Sequence, residues 1–352
     1  MKTKNLWKKY SFMKMGLWLI ASLSFLAMLG GCGAASNEAT ASGTASQANI
    51  SQKNIKQGNN PIPDDDTDIS PESKKRGKIS LSKDKKTIFA QGWLETHELA
   101  DRRTKKATKI VFRKDARILV DWNMDSFCPP HLQDAPLVKE IEVEEGNPFL
   151  YEIDGMLIQR AGADFDIEYT TDRETLILCV PGKKGEIRIP EGVQDIYTSA
   201  FRGCSGITSV FLPTTIHSIG NAAFSDMISC TRILAHKKDK DYFSKNGVLY
   251  LRTSTSPASW VVAYPAGKMD QIYNAAPKDA DQICAGAFMG ASHLQEVYLP
   301  SGIKTIEAGA FMNCKNLRKV IVKNKKRISD LFGNAFIGCP KLKERVKDKY
   351  ER

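Results

Sequence analysis

The sequence predicts a β-rich solenoid of units about 23 residues long, with short parallel strands on one face and turns or short helices on the other. Three observations carry that prediction. The pair Ala-Phe recurs at Ala200-Phe201, Ala223-Phe224, Ala287-Phe288, Ala310-Phe311 and Ala335-Phe336. Aliphatic residues keep phase with each Phe: Ile196, Ile219, Ile283, Ile306 and Leu331 precede it, and Val210, Ile233, Val297 and Val320 follow it. Proline closes the second set at Pro190, Pro213 and Pro300, where a residue without an N–H ends a strand. Units of this size cannot bury their own apolar face, so they must stack on one another.

Within a unit the reading is mechanical. Glu296-Val297-Tyr298-Leu299 alternates as a short strand that Pro300 ends. Ser301-Gly302 turns the chain into a second extended stretch holding Ile303 and Ile306. Ala310-Phe311-Met312-Asn313-Cys314 then folds it back, with Phe311 filling the interior. The run from Ile207 through Val210, Leu212-Pro213, Ile216 and Ile219-Gly220 to Ala223-Phe224 closely resembles the BspA-like leucine-rich-repeat family. The resemblance covers about 137–340 and implies a leucine-rich-repeat solenoid. It also implies interruptions of the form Asp/Asn-Gly-Val-Leu followed by Tyr-Pro-Ala-Gly-Lys. Two occur here, Asn246-Gly247-Val248-Leu249 leading to Tyr264-Pro265-Ala266-Gly267-Lys268, and Asp154-Gly155-Met156-Leu157 leading to Val180-Pro181-Gly182-Lys183. Both read as inserted β-hairpins. Residues 79–136 fit the pattern less well and read as an N-terminal cap or degenerate repeat. The charged residues 341–352 read as a C-terminal cap, with a short helix from Pro340.

The N-terminus carries a separate message. Residues 1–14 hold five lysines and no acid, and Met15 to Met28 is an apolar run. A spanning helix needs about 20 apolar residues, so the run suits the h-region of a signal peptide ending at residue 31. Leu29-Gly30-Gly31-Cys32 resembles the bacterial lipobox, which implies lipid transfer to the Cys32 thiol and cleavage after Gly31. Two or three acyl chains hold a protein to a membrane stably. Residues 32–78 are rich in Ser, Ala, Asn and Gln, with acids at Asp64 to Asp66, and lack the apolar surface to fold. They read as a disordered tether reaching on the order of 35–40 Å. The expected location is the extracytoplasmic face of a bacterial membrane, exposed at the surface.

Composition narrows the function classes. Without its five leader lysines, the +11 chain keeps 46 basic against 40 acidic residues, a mild and scattered excess. That pattern and export argue against nucleic acid, which calls for a basic stripe on a matching fold. His97, His131, His217, His236 and His293 show no metal or triad spacing. There is no Cys-x-x-Cys, no Gly-x-Ser-x-Gly and no phosphate-binding glycine loop. No enzyme, cofactor, metal or small-molecule substrate is expected. Cys204, Cys314 and Cys339 share the third position after the repeat Phe and read as buried thiols, with an inter-unit disulfide such as Cys314–Cys339 left open.

A binding surface is the remaining expectation. The residue between the two inward aliphatics points outward, and that row reads Glu142, Arg188, Phe211, Leu234, Tyr298, Ile321. A sheet face open to water should be polar, and this one is half apolar. Arg188, Phe211, Leu234, Tyr298 and Ile321 are therefore the candidate contacts for a protein or glycan ligand, the alternative being that the hairpin inserts cover them. The resemblance implies surface display and adhesion. An envelope structural or assembly role, touching peptidoglycan or a partner protein, is the second reading.

Overall fold

The computed structural model describes residues 32–33, 77–99, 102–119, 132, 135–162, 173–253 and 258–348. The leader, most of the tether and Cys128 lie outside them.

Each repeat supplies two strands. Lys184–Arg188, Gly206–Phe211 and Arg232–Leu234 run parallel in a front sheet. After an interruption it resumes as Ile272–Tyr273, Glu296–Leu299, Lys319–Val322 and Glu344–Arg345. The register sets Ile187, Val210 and Ile233 side by side, and Val297 beside Val320. A second sheet aligns Ile196 with Ile219, and Ile283 with Ile306 and Leu331. The two phased aliphatic sets of the sequence are thus two inward rows facing each other, all buried except half-buried Leu331. The backs of the repeats are turns. Among the described residues the helical pieces are the 3-10 turns Thr96–Leu99 and Arg102–Thr104, with Leu132 in a third.

The Ala-Phe corner joins the two sheets and ties rung to rung. Phe201 N–H donates to Ala223 O at 2.8 Å, Ala222 N–H to Ala285 O at 3.0 Å, Phe288 N–H to Ala310 O at 2.7 Å and Phe311 N–H to Ala335 O at 2.8 Å. The rings stack behind this ladder. Phe201 lies 5.4 Å from Phe224, and Phe311 lies 4.8 Å from Phe288 and 5.4 Å from Phe336, with planes within 17°. Three residues on, the thiols of Cys204, Cys314 and Cys339 donate back to the carbonyls of Cys179, Phe288 and Phe311, at 3.5, 3.0 and 2.9 Å. All are free thiols, Cys314 and Cys339 included. The position is a hydrogen-bond donor to the preceding rung, and the disulfide is not formed.

The hairpins Leu150–Ile153 with Met156–Gln159, and Tyr242–Lys245 with Val248–Arg252, form where expected. Asp154-Gly155 and Asn246-Gly247 sit at their tips with φ of 53° and 78° in both cases, the doubly left-handed turn whose twist matches paired strands. From each hairpin the chain returns in a third strand, Thr175–Cys179 or Ser259–Ala263. That strand pairs antiparallel with the hairpin and parallel with the next rung. The inserts are therefore spliced into the second sheet. The tip at Gly247 also abuts the front sheet: Ile233 N–H donates to Gly247 O at 2.8 Å. A Cβ there would lie 2.9 Å from the Thr231 carbonyl oxygen. Only glycine allows that approach.

Each return strand also carries a ladder residue that the Phe count does not reveal. Tyr264 stacks on Phe288 at 5.1 Å and donates its N–H to Ala287 O at 2.7 Å. Cys179 donates its N–H to Ala200 O at 2.8 Å.

Toward the N-terminus, Thr87–Gln91, Lys109–Phe112 and Glu140–Val143 are parallel rungs, with Lys78–Leu81 antiparallel at the edge. They enclose their own core, including Ile88, Leu94, Ile110, Phe112 and Ile141. The Cys32–Gly33 backbone pairs antiparallel with Ser218–Ile219. At the other end the expected helix from Pro340 is replaced by extended chain. Glu344–Arg345 pairs with Lys319–Val320, and Lys347–Asp348 with Arg327–Ile328. Val346 is buried, and its N–H donates to Val320 O at 2.8 Å. One more inward aliphatic and a ladder to join outweigh the helical preference of the charged residues.

Phe311 is fully buried between two rings, whereas Phe336 is half-buried at the end of the stack. Phe311→Ala should lose about 3–5 kcal/mol of stability in urea unfolding, and Phe336→Ala clearly less. Equal losses would contradict a stack that is closed at Phe311 and open at Phe336.

Candidate functional site

The predicted outward row is divided by the inserts. Arg188, Phe211 and Leu234 are successive register partners on one segment of the front sheet. Tyr298 and Ile321 are partners on the next segment, beyond the second hairpin. Glu142 belongs to the N-terminal rungs, opposite Val111. The four apolar members are half-buried, while Arg188 and Glu142 are exposed. Tyr298 is engaged locally: its hydroxyl donates to Glu296, and Lys319 Nζ lies 5.6 Å from its ring centre.

Around Arg188, Phe211 and Leu234 the second hairpin stands beside the row instead of over it. Between them lies a groove of about 570 Å³, with Leu234 and Ala235 along one side and Phe243 and Arg252 on the hairpin opposite. That volume falls in the range of small-ligand sites. Both aromatic walls are capped by guanidinium groups. Arg188 lies 4.0 Å from the centre of Phe211 and Arg252 lies 4.2 Å from Phe243. Arg232, in the rung on the other side of Phe211, lies 5.8 Å from that ring. Phe243 stacks on buried Tyr250 at 5.1 Å. Cation–π contact fixes the plane of each guanidinium and leaves its N–H edge for a partner.

The hairpin is held upright by Asp239. Its Oδ1 accepts the N–H groups of Asp241 and Tyr242, both at 2.9 Å. Burial pushes its carboxyl up, against those hydrogen bonds and the nearby Arg252 charge. Ser244 links hairpin to front strand, donating to Ile233 O at 2.9 Å and accepting from Ala235 N–H at 2.8 Å.

The first insert builds the same frame. Asn147 takes the place of Asp239, its Oδ1 accepting Phe149 and Leu150 N–H at 2.8 and 2.9 Å. Tyr151 and Arg160 take the places of Phe243 and Arg252, 4.8 Å apart. The resulting groove, about 380 Å³, is lined instead by Glu140, Glu142, Glu144, Glu145 and Glu152. Several of those acids are already neutralised: Lys109 pairs with Glu140 at 2.8 Å and Glu142 at 2.6 Å, and Arg113 pairs with Glu144. Among the described residues no group of three potential metal ligands lies together.

Of the groove's lining, sequence reasoning singled out Arg188, Phe211 and Leu234 and passed over Asp239, Phe243 and Arg252. The outward row is a repeat property, whereas the opposite wall depends on where an insert comes to rest. The signal available was the parallel between Asn147…Tyr151…Arg160 and Asp239…Phe243…Arg252, each flanking an Asp-Gly or Asn-Gly tip.

The family comparison agrees with the repeat architecture. Residues 183–246 and 271–347 match the family model for the BspA type leucine rich repeat region, in six copies. The unmatched residues between them include the return strand of the second insert. No curated protein sequence matches the chain. Solved structures similar to it include a leucine-rich cell surface protein from Faecalibacterium prausnitzii, at 16% identity and a TM-score of 0.40, covering 76% of this chain and 86% of that one. A leucine-rich repeat protein from Eubacterium ventriosum has 14% identity and a TM-score of 0.41, covering 77% and 82%. The pneumococcal vaccine antigen PcpA has 13% identity and a TM-score of 0.38, covering 77% and 79%.

Asp239→Asn should leave the unfolding free energy near neutral pH within about 0.5 kcal/mol, since Asn147 does the same work with an amide. Asp239→Ala should lose about 1–3 kcal/mol by leaving N–H groups unpaired. A carboxyl raised by burial binds its proton more tightly when folded. Its stability contribution therefore falls as pH rises from the ordinary value of 3.8 through the raised one. The difference between wild type and Asp239→Asn, followed by urea titration from pH 3 upward, should show that slope.

Proposed function

Starting from a chain whose repeat region belongs to the BspA-type leucine-rich repeats, we propose a lipid-anchored, surface-displayed binding protein of the adhesion type. It recognises a protein or glycan ligand by multi-point contact on the front sheet, with no covalent step. The observation that carries this reading is the groove in which half-buried Phe211 and Leu234 face Phe243 across a gap that the inserted hairpin leaves open. The parallel front-sheet segment beside that groove, Lys184–Arg188 to Arg232–Leu234, gives a rigid platform, the usual binding surface of repeat solenoids. The anchor rests on the basic leader, its short apolar run and the lipobox at Cys32.

The test uses the full chain in a bacterial host. Palmitate labelling should be present in wild type and lost in Cys32→Ala, and protease added to intact cells should remove the solenoid. The cells should adhere to immobilised host-matrix extract, and Phe211→Ser should cut that adhesion at least tenfold at unchanged surface level. Retention on wall material alone, with no shaving by protease, would overturn surface adhesion in favour of an envelope assembly role.

A further inference from the structure

The two insert grooves share one backbone frame but differ in charge and in whether that charge is already satisfied. In the first, Lys109 and Arg113 supply ion-pair partners to Glu140, Glu142 and Glu144. In the second, Arg188, Lys237 and Arg252 line the groove, and among the described residues no carboxylate forms an ion pair with any of them. Arg252 makes one neutral contact, donating to Lys240 O at 3.2 Å. Asp239 is the groove's acid; its charge lies near Arg252 without forming an ion pair, and its Oδ2 is buried with no hydrogen-bond partner. The first insert keeps a cation, Arg160, at the place of Arg252, but has Glu145 where the second has Lys237. The frame therefore does not require the second groove's excess of positive charge, and that excess points outward, to a ligand.

The aromatic geometry narrows the ligand further. Sugars dock by laying a ring on a free aromatic face. Here Phe211 has Arg188 and Arg232 near its ring, and Phe243 has Arg252 over it and Tyr250 stacked on it. Both rings are already engaged by neighbours, which leaves less aromatic surface for a sugar. What the groove presents is an apolar side at Leu234 and Ala235, with guanidinium edges held in fixed planes at Arg188 and Arg252. Carboxylates match such edges with paired, charge-assisted hydrogen bonds. Apolar surface beside cations suits a chain in which apolar and acidic groups alternate.

We propose that the Arg188–Arg252 groove binds an acidic polypeptide segment, its carboxylates on the two arginines and an apolar side chain between them on Leu234 and Ala235. The assignment rests on the binding-protein reading and names its ligand class.

The probe is a fluorescein-labelled peptide of alternating Glu and Leu, titrated with the full chain and followed by polarisation. A Lys/Leu peptide and dextran sulfate serve as comparators. The Glu/Leu peptide should bind saturably, weaken as salt rises, and lose at least tenfold in affinity with R188Q/R252Q. Arg188→Lys should fall between, since it keeps the charge without the fork. E142Q/E145Q, in the other groove, should leave affinity unchanged. Melting temperatures within a few degrees of wild type would show that the variants fold. Binding of the Lys/Leu peptide equally well, binding of dextran sulfate alone, or no response to R188Q/R252Q would each overturn the proposal. Adhesion that persists in R188Q/R252Q cells while the peptide fails would sink the acidic-peptide assignment and leave the binding-protein reading standing.

Discussion

The molecule depends on the hydrogen-bonded corner at Ala-Phe. Both sheets are built from strands of two to six residues, too short to hold register by themselves. The corner supplies what they lack. From Ser199 to Ile337 the N–H groups of one turn find the carbonyls of the next, while the stacked rings fill the space behind them. Register fixed at that corner places each inward aliphatic opposite its neighbour two strands away. Adjacent backbones come close one residue before the pair: a Cβ on Gly286 would lie 2.6 Å from that of Ala222.

That corner also explains how insertions are tolerated. Ala222 passes its hydrogen bond directly to Ala285, while Tyr264 of the insert takes the next ladder position against Ala287, so the ladder crosses the second insert unbroken. The extra chain is absorbed on the second sheet, where a three-stranded antiparallel piece converts to parallel pairing at its last strand. Its cost is a break in the front sheet between Leu234 and Ile272. The groove is the product of that break: a strand edge on one side and a hairpin wall on the other.

Much of this was legible in the residues. Phased aliphatics, the Ala-Phe pair and the Asn-Gly and Asp-Gly tips are local signals, and each maps onto the element it announces. Less legible was whatever depends on distant partners. Tyr264 and Cys179 occupy ladder positions without the expected Phe, recognisable only by the carbonyls they meet. The last residues read as helix because charge dominates their composition, yet a single buried Val346 and a waiting strand edge decide otherwise. Half of the groove was visible as the row Arg188, Phe211, Leu234. Its facing wall was not, because the resting place of a hairpin is settled by contacts such as Gly247 against Thr231 rather than by its own pattern.

The paired inserts carry an evolutionary consequence. The residues that hold the frame, a side-chain oxygen at Asn147 or Asp239, a left-handed two-residue tip and a return strand ending in a ladder position, are distinct from those that colour the walls. A mutation at Glu142 or Leu234 changes an outward side chain at the cost of a surface ion pair with Lys109 or of half-buried contact, so the groove's character can drift there while the fold stands still. One chain already displays two outcomes of that freedom, an acidic wall and a basic one. A lineage under changing selection could thus replace its ligands faster than its scaffold.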